Sequence, residues 1–405
     1  MKEKEGELIV LSNKDTGYMS LYSFDVEKKV FNKIIHQVKG KDIYSILTNR
    51  YENEIIGFTY LQGGIIKQVY SNPLADFLGS EQSKSVQPNG YVVDHSEDNH
   101  FIIYFTGSID NPATFYVFDN KTKESLLIGE ERPWLNEYKL GKSEVIHSVS
   151  TDGLAIESYL TVPTHLTDQK FPLLVMPHGG PLGIHDTRHF STDVHYFVQK
   201  GYAVLTPNYR GSSGYGKDFL NSGKQQWGRL IEDDIESAVA ETIKSDLIDG
   251  QKICIFGISY GGYSALISAI RRPDLYKCAI SYAGVTDIPL LFSQSQAASE
   301  SSNRRMLIDI LGNPDESFDT LVKYSPVYQL KDLSVPLMIG QGGQDRIVDD
   351  EHYFRLLYML RKLKKKYKKL YFKNEIHGFK LIDSQIKFFN KVDNFMREHL
   401  VIIDK

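Results

Sequence analysis

The hydrophobic and polar positions of this chain follow two different patterns, and the change between them lies near residue 132. Over residues 7–127, short segments rich in Tyr, Phe, Val and Ile alternate with polar positions and are separated by Asn, Asp, Gly and Lys turns. Alternation with a period of two, bounded by turn residues, is typical of antiparallel β-strands. The first part of the chain is therefore predicted to be all-β.

Two segments of this all-β part resemble one another. Residues 20–25 and 114–119 each end in an aspartate, which is followed by a charged turn and a second apolar stretch. The two aspartates are 94 positions apart, which corresponds to two propeller blades of roughly 40 to 50 residues each. A weaker repeat lies near residues 66–70. About three blades fit here, whereas a closed propeller has about four to eight, so residues 1–142 are predicted to form an incomplete antiparallel β-propeller.

After residue 142, apolar runs alternate with helical patterns. One such pattern covers residues 230–243, where apolar side chains recur at three- and four-residue steps. Alternating strands and helices indicate a mostly parallel, doubly wound sheet. Residues 143–405 are therefore predicted to form an α/β domain. The runs suited to its buried parallel strands are residues 173–176, 203–205, 253–256, 278–282, 337–339 and 370–372.

Charge and hydropathy exclude several classes of partner. The 405 residues carry a formal net charge of −4, which offers no electrostatic reason for binding nucleic acid or an anionic membrane. The lysine-rich residues 361–369 include a single aromatic residue and are interpreted as a solvated helix face. The first six residues are largely charged, and no run approaches the roughly 18 apolar residues of a transmembrane helix. The chain is therefore predicted to be cytoplasmic, without nucleic-acid or membrane partners.

The cysteines and the glycine-rich segments suggest neither a metal nor a cofactor. Cys254 and Cys278 lie in apolar strand-like runs and are expected to be buried free thiols rather than a disulfide framework or a metal site. The sequence contains no glycine-rich phosphate loop and no metal-ligand spacing. The prediction is therefore a protein without cofactor or metal.

A candidate nucleophile lies in residues 257–262, Gly-Ile-Ser-Tyr-Gly-Gly, between an apolar run and a helical pattern. Small residues two before and two after the serine let the backbone close a sharp strand-turn-helix elbow, which lifts the hydroxyl above the sheet edge. Ser259 is therefore the candidate nucleophile. A serine hydroxyl needs a neighbouring base, and the base needs an acid that orients it.

Asp345 and His377 supply these two groups in the order expected after Ser259. Asp345 follows a strand at residues 336–341 through two glycines, and His377 follows a strand at residues 369–373. Both are expected in loops at the sheet edge that carries Ser259. Asp345 could instead cap the next helix, and His377 could be an ordinary exposed loop histidine. The agreement of chain order with loop placement favours a Ser-Asp-His triad.

Acyl transfer also needs donors for the oxyanion that forms during attack. One candidate is the backbone N–H of Tyr260, directly after the nucleophile. The other is Gly180 in the Pro-His-Gly-Gly-Pro segment at residues 177–181, where glycines let a backbone N–H approach the substrate closely. A plain β-turn is the alternative interpretation of this segment.

Together these motifs resemble the catalytic domain of the prolyl oligopeptidase family of serine peptidases, especially its acylaminoacyl-peptidase and dipeptidyl-aminopeptidase branch. The resemblance implies an α/β-hydrolase domain preceded by a β-propeller that restricts access to short peptides. It implies the same triad and the same oxyanion donors, Tyr260 and Gly180. The resemblance covers residues 132–400 and is carried by residues 132–135, 152–153, 178–181, 208–216 and 259–263, by Asp345 with Val348, and by residues 377–379.

The resemblance also implies an apolar S1 pocket around Tyr260, suited to an uncharged P1 side chain. The remaining residues implied for its wall are Val285, Ile288, Leu291 and Val348.

Two departures from the family pattern affect the expected substrate. About 130 residues precede the hydrolase domain, which is fewer than the family propellers have, so leading blades are expected to be missing. Gln341 stands where the family usually has a histidine, and Ile347 stands where some members have a polar residue that contacts substrate.

The predicted function is a serine peptidase that acts on short or acylated peptides through an acyl-enzyme. A carboxylesterase with the same triad, a catalytically impaired fragment and an oligomer remain open.

Overall fold

The computed structural model describes residues 6–49, 51, 54–70, 90–166, 169–293 and 301–400. The strands are β1 (Glu7–Ser12), β2 (Ser20–Asp25), β3 (Val30–His36), β4 (Ile43–Asn49), β5 (Glu54–Gln62), β6 (Ile65–Tyr70), β7 (Gly90–His95), β8 (Phe101–Ser108), β9 (Asn111–Asp119), β10 (Glu124–Glu130), β11 (Lys142–Val149), β12 (Ala155–Val162), β13 (Phe171–Val175), β14 (Ala203–Asn208), β15 (Ile248–Ile258), β16 (Cys278–Tyr282), β17 (Leu337–Gly342) and β18 (Tyr367–Phe372). The α-helices are α1 (Thr192–Gln199), α2 (Lys217–Ser222), α3 (Leu230–Thr242), α4 (Tyr260–Arg271), α5 (Ser301–Leu311), α6 (Pro314–Lys323), α7 (Pro326–Gln329), α8 (Glu351–Lys362) and α9 (Ile382–Leu400). Pro133–Glu137 and Ile288–Phe292 form short 3-10 helices.

Strands β1 to β10 form three antiparallel sheets, as the alternating pattern predicts. Their strand orders are β1-β2-β3, β4-β5-β6 and β10-β9-β8-β7. Leu21 of the first sheet packs in one apolar cluster with Ile43 and Phe58 of the second. Ile56 of the second sheet packs in another cluster with Ile102 of the third. The sheets therefore pack face against face in chain order, like consecutive blades of a propeller.

The repeated hairpin of the first and third sheets is confirmed in its turn geometry. Asp25 accepts a hydrogen bond of 2.9 Å from the backbone N–H of Lys28, and Asp119 accepts one of 3.1 Å from that of Thr122. In both turns the fourth residue after the aspartate is a lysine with a left-handed backbone, φ 56° and 65°. The aspartate side chain holds the same turn twice.

The weaker repeat in the second sheet has a simple cause. Its hairpin between β5 and β6 closes through two glycines, Gly63 and Gly64, with φ of 54° and 75°. Two consecutive residues with positive φ form a tight two-residue turn, for which glycine is favoured. The aspartate-and-lysine turn of the other two hairpins is therefore replaced, and the sequence repeat is lost with it.

Strands β11 to β18 form one eight-stranded sheet in the order β11-β12-β14-β13-β15-β16-β17-β18. The pairs from β14 through β18 are parallel, while β12 runs antiparallel to both of its neighbours. All six predicted parallel runs overlap observed strands. Large apolar clusters cover both faces, one including α3, α4 and α8 and the other α1 and α9. The predicted α/β-hydrolase architecture with a mostly parallel, doubly wound sheet is confirmed.

Cys254 and Cys278 form a disulfide, so the prediction of two free thiols was wrong. The two residues are direct neighbours in the register of β15 and β16, and their Cα atoms are 4.8 Å apart. The lateral neighbour of a strand position depends on which strands are adjacent and on their register. A separation of 24 residues in the sequence contains neither piece of information.

All three N-terminal sheets contact the α/β part of the chain. The contacts include Lys217 N–H to the carbonyl oxygen of Gly17 in the turn between β1 and β2 (2.7 Å), Arg188 N–H to the carbonyl oxygen of Gly64 (2.7 Å), and Tyr91 hydroxyl with His189 Nε2 (3.3 Å).

Strand β11, which begins at Lys142, already belongs to the eight-stranded sheet, and the boundary at residue 142 stays a prediction. None of the helices in the described ranges combines the length and the hydrophobicity that a membrane span needs.

Candidate active site

The three residues proposed from the sequence as a triad follow strands that end at one edge of the sheet. Ser259 follows β15, Asp345 lies in the loop after β17, and His377 lies in the loop after β18. These strands run parallel and are connected side by side through β16. Because the carboxyl ends of parallel strands meet at the same sheet edge, the fold brings all three residues to that edge.

Ser259 occupies a sharp turn between β15 and α4. Its backbone has φ 61° and ψ −124°, a conformation that residues with a side chain rarely adopt. Such strained geometry is found at functional sites where the surrounding structure holds it in place. Glycine is required in this turn: a Cβ added to Gly261 would stand 2.2 Å from the carbonyl oxygen of Pro177. The elbow therefore packs directly against the segment that contains Gly180.

Asp345 and His377 are in direct contact. His377 Nδ1 lies 2.8 Å from Oδ2 of Asp345, whose side chain is 0% exposed, whereas that of His377 is 22% exposed. The other carboxylate oxygen, Oδ1, accepts the backbone N–H groups of Ile347 and Val348 at 2.9 and 3.0 Å. The acid is thus fixed on both oxygens, and the imidazole it contacts keeps access to solvent. Asp345 does not cap α8, whose N-cap residue is Asp350.

Gln341 also contacts Asp345. The sequence alone did not assign this role to Gln341. Its side-chain amide donates hydrogen bonds of 3.2 Å to Oδ2 of Asp345 and 3.1 Å to the carbonyl oxygen of Val348. Gln341 therefore closes the acid loop from the strand side. The sequence marked this position only as a departure from the family pattern, since the reach of an amide across the loop depends on the loop conformation.

The glycine turn after β13 lies beside the nucleophile. A Cβ added to Gly179 would lie 3.6 Å from Cβ of Ser259, and Gly180 adopts a left-handed backbone with φ 56°. Tyr260 is the first residue of α4, and the first N–H groups of a helix have no partner within the helix. The turn that contains Gly180 and the first residue of α4 thus both lie next to Ser259, and the roles of Gly180 and Tyr260 as oxyanion donors stay predictions.

His178 is a buried anchor of this turn and not a second base. Its Nε2 lies 2.9 Å from the hydroxyl of Ser212, and its carbonyl oxygen accepts a hydrogen bond of 2.8 Å from the Tyr209 hydroxyl. Burial lowers the pKa of His178 to about 4. The imidazole is therefore neutral near pH 7 and is engaged in holding the turn.

The four residues proposed for the S1 wall are all buried in the same apolar cluster as Tyr260. Their exposed fractions do not exceed 6%. The structure thus places these residues in one buried cluster with Tyr260, while their role in binding a P1 side chain stays a prediction. They are Val285, Ile288, Leu291 and Val348.

Among the residues that the structure describes, no group of three or more His, Cys, Asp or Glu side chains is arranged to hold a metal ion.

The model of the Prolyl oligopeptidase family matches residues 188–402, just over half of the chain. This chain belongs to that family. The matched segment contains Ser259, Asp345 and His377, and the resemblance inferred from the motifs is confirmed.

Among curated proteins, the dipeptidyl aminopeptidase BIII of Pseudoxanthomonas mexicana is 27% identical over 313 residues, which cover 75% of this chain and 45% of that protein. A dipeptidyl peptidase family member 6 of Caenorhabditis elegans is 24% identical over 419 residues, which cover 95% of this chain and 55% of that protein. The chain thus spans about half the length of these two relatives.

Solved structures share the fold of almost the whole chain. A puromycin-hydrolyzing peptidase of Mycobacterium tuberculosis superposes with a TM-score of 0.79 at 19% identity, covering 98% of this chain and 60% of that one. The acylaminoacyl peptidase of Pyrococcus horikoshii superposes with a TM-score of 0.75 at 19% identity, covering 96% of this chain and 60% of that one. At these identities the likeness concerns the fold.

Proposed function

We propose that this chain is a serine-type peptidase that hydrolyses short peptides through an acyl-enzyme intermediate. The observation that carries the proposal is the 2.8 Å contact between His377 Nδ1 and the fully buried carboxylate of Asp345. This pair lies at the sheet edge that presents Ser259 on its elbow. A buried acid that orients a partly exposed imidazole near an elbow serine is the arrangement of an activated nucleophile.

In the proposed reaction, the Ser259 hydroxyl attacks the peptide carbonyl carbon while His377 Nε2 takes its proton. Asp345 keeps Nδ1 protonated and stabilises the imidazolium that forms. The negative oxygen of the tetrahedral intermediate is bound by the backbone N–H groups of Tyr260 and Gly180. When the intermediate collapses, the C–N bond breaks and His377 donates its proton to the leaving amine. A water molecule then attacks the acyl carbonyl carbon while His377 takes its proton. The ester bond to Ser259 breaks, the carboxylic acid leaves, and His377 returns the proton to the serine oxygen.

The proposed substrates are short or acylated peptides with an uncharged P1 side chain. The P1 preference is supported by the four residues proposed for the S1 wall, Val285, Ile288, Leu291 and Val348, because all four side chains are apolar. The names of relatives support the peptide class: dipeptidyl aminopeptidase for the Pseudoxanthomonas mexicana protein and acylamino-acid-releasing enzyme for proteins of rice, pig and mouse.

The proposal is tested by labelling with a fluorophosphonate probe, which reacts covalently with an activated serine. We expect the protein to be labelled and the Ser259→Ala variant to remain unlabelled with an unchanged melting temperature. Labelling of the alanine variant at the same rate would disprove the assignment.

Parallel assays on a blocked peptide anilide and a short p-nitrophenyl ester then distinguish a peptidase from an esterase. Ester turnover without anilide turnover would identify a carboxylesterase, and a folded protein without either activity would identify an impaired fragment.

The compartment is a separate proposal. The sequence favours the cytoplasm, whereas disulfides persist mainly in oxidising compartments. Fractionation of the source cells tests the proposal directly. Recovery of the protein with a soluble cytoplasmic marker supports the cytoplasm, and recovery with a secreted marker contradicts it.

A further inference from the structure

The side chain of Tyr260 makes a contact that the proposed reaction does not use. Its hydroxyl donates a hydrogen bond of 2.9 Å to Oε1 of Glu232 in the first turn of α3. The exposed fractions of Tyr260 and Glu232 are 1% and 0%. A carboxylate that loses its hydration destabilises the folded state unless hydrogen bonds compensate. An apolar side chain would fill this core position without that penalty, so the carboxylate calls for a specific explanation.

The ring of Tyr260 belongs to a buried aromatic cluster. Its centroid lies 5.6 Å from that of Tyr209 and 4.6 Å from that of Trp227. The hydroxyl of Tyr209 holds the carbonyl oxygen of His178 at 2.8 Å, and His178 begins the turn that contains Gly180. One buried cluster thus connects the two residues proposed as oxyanion donors.

We propose that Glu232 is a positioning residue for the oxyanion site. The hydrogen bond to Glu232 fixes the hydroxyl end of the rigid Tyr260 side chain. The other end of this side chain joins the backbone at the start of α4, where the N–H of Tyr260 lies. Rotation of the peptide at residue 260 would move that hydroxyl away from the carboxylate. The hydrogen bond therefore keeps the N–H directed at the developing negative charge. This inference rests on the proposed function.

The buried environment of Glu232 disfavours the charged form of its carboxyl group. Burial raises the pKa of Glu232 to about 7, while the Tyr260 hydroxyl and the guanidinium of Arg271 act in the opposite direction. A donor that misses its target by about 1 Å loses much of its effect on rate, of the order of 100-fold. Orientation of a single N–H donor is therefore sufficient reason to retain a carboxyl group in the core.

The test compares kcat and KM on a blocked peptide anilide for five proteins. Tyr260→Phe removes only the hydroxyl, and Glu232→Leu removes its acceptor, whereas Glu232→Gln keeps a side-chain carbonyl oxygen that can accept the same hydrogen bond. The matched control is Tyr276→Phe, since Tyr276 is buried in the same apolar cluster and its hydroxyl has no hydrogen-bond partner among the described residues. The unmodified chain is the reference.

We expect Tyr260→Phe and Glu232→Leu to lower kcat by about tenfold or more, with KM changed less than about twofold, because the interaction acts in the transition state. Glu232→Gln is expected to retain most of kcat, and Tyr276→Phe all of it. Affinity for a peptide boronic acid, whose adduct is tetrahedral, should fall in parallel with kcat. If Glu232→Leu does not fold, the comparison of Tyr260→Phe with Tyr276→Phe decides.

Unchanged kcat in Tyr260→Phe, or a loss confined to KM, would overturn the positioning role. In that case fluorophosphonate labelling of Ser259 would persist and the proposed peptidase function would stand. If the unmodified chain does not react with the fluorophosphonate, the proposed function itself is contradicted. The two failures are therefore distinguishable.

Discussion

A Cβ added to Gly257 would stand 2.1 Å from the carbonyl oxygen of Gly261. The two residues lie two positions before and two positions after Ser259, and their backbones touch because the elbow reverses so tightly. No real Cβ tolerates such a distance, and the obstructing atom belongs to the backbone, which cannot move without opening the turn.

Gly257→Ala is therefore expected to open the elbow, lower the melting temperature and abolish fluorophosphonate labelling. The control is Gly250→Ala in the same strand, β15, where an added Cβ would meet Ile243 at an ordinary 3.5 Å. Differential scanning calorimetry and labelling of both variants check the prediction. Equal labelling of the two would show that close contact at the elbow is not required for a reactive Ser259.

Asp345→Asn should lower kcat by about 10⁴-fold without unfolding the protein. The two backbone N–H groups of Ile347 and Val348 still find an oxygen at the Oδ1 position. The Gln341 amide loses its acceptor at Oδ2 but keeps the carbonyl oxygen of Val348, so the loop keeps its shape. The amide nitrogen then faces His377 Nδ1, which favours the wrong imidazole tautomer. The control Asp349→Asn changes a carboxylate in the same loop that accepts the N–H of Glu351. A kcat for Asp345→Asn within tenfold of the control would contradict the role of the acid.

The disulfide should be detectable and stabilising. Intact mass measured without reductant should be lower by two hydrogens than after reduction of the unfolded chain. Replacing both Cys254 and Cys278 by Ala should lower the free energy of unfolding by about 2–4 kcal/mol, the usual range for a removed disulfide. Urea unfolding of the variant against the oxidised protein measures this difference. Identical masses with and without reductant would show that the bond does not form.

His195 makes the contact between the third N-terminal sheet and the α/β part sensitive to pH. Its Nε2–H donates to the carbonyl of Ile109, and its Nδ1 accepts the N–H of Gly141, so the ring is neutral. Burial lowers the pKa of His195, although the Ile109 carbonyl and the charge of Asp110 act in the opposite direction. The ring of Phe190, stacked on the imidazole at 5.0 Å, carries no charge.

Because the folded-state pKa of His195 lies below its unfolded value of about 6.5, the unfolded chain binds the proton more readily. The contribution of His195 to stability is thus present above pH 6.5 and is lost as the pH falls through the folded-state pKa. The melting temperature should decline between pH 7 and pH 5, and His195→Gln should show a smaller decline. An identical slope in both proteins would contradict the prediction.

The amino-acid sequence by itself determined the local architecture. Alternating and continuous apolar runs located the strands of both parts, and the glycines around Ser259 specified the elbow. The aspartate turns at Asp25 and Asp119 marked a repeated hairpin. Each of these features is decided by backbone sterics or hydrogen bonds over a few neighbouring residues, which is why sequence spacing was sufficient to predict them.

Only the tertiary structure decided which distant side chains touch. The disulfide between Cys254 and Cys278 depends on β16 lying beside β15 in one register. The contact between Glu232 and Tyr260 depends on how α3 packs against α4, and the orientation of Asp345 toward His377 depends on two loop conformations. Such contacts are set by strand order, register and packing of the whole chain, and no spacing along the sequence encodes them locally.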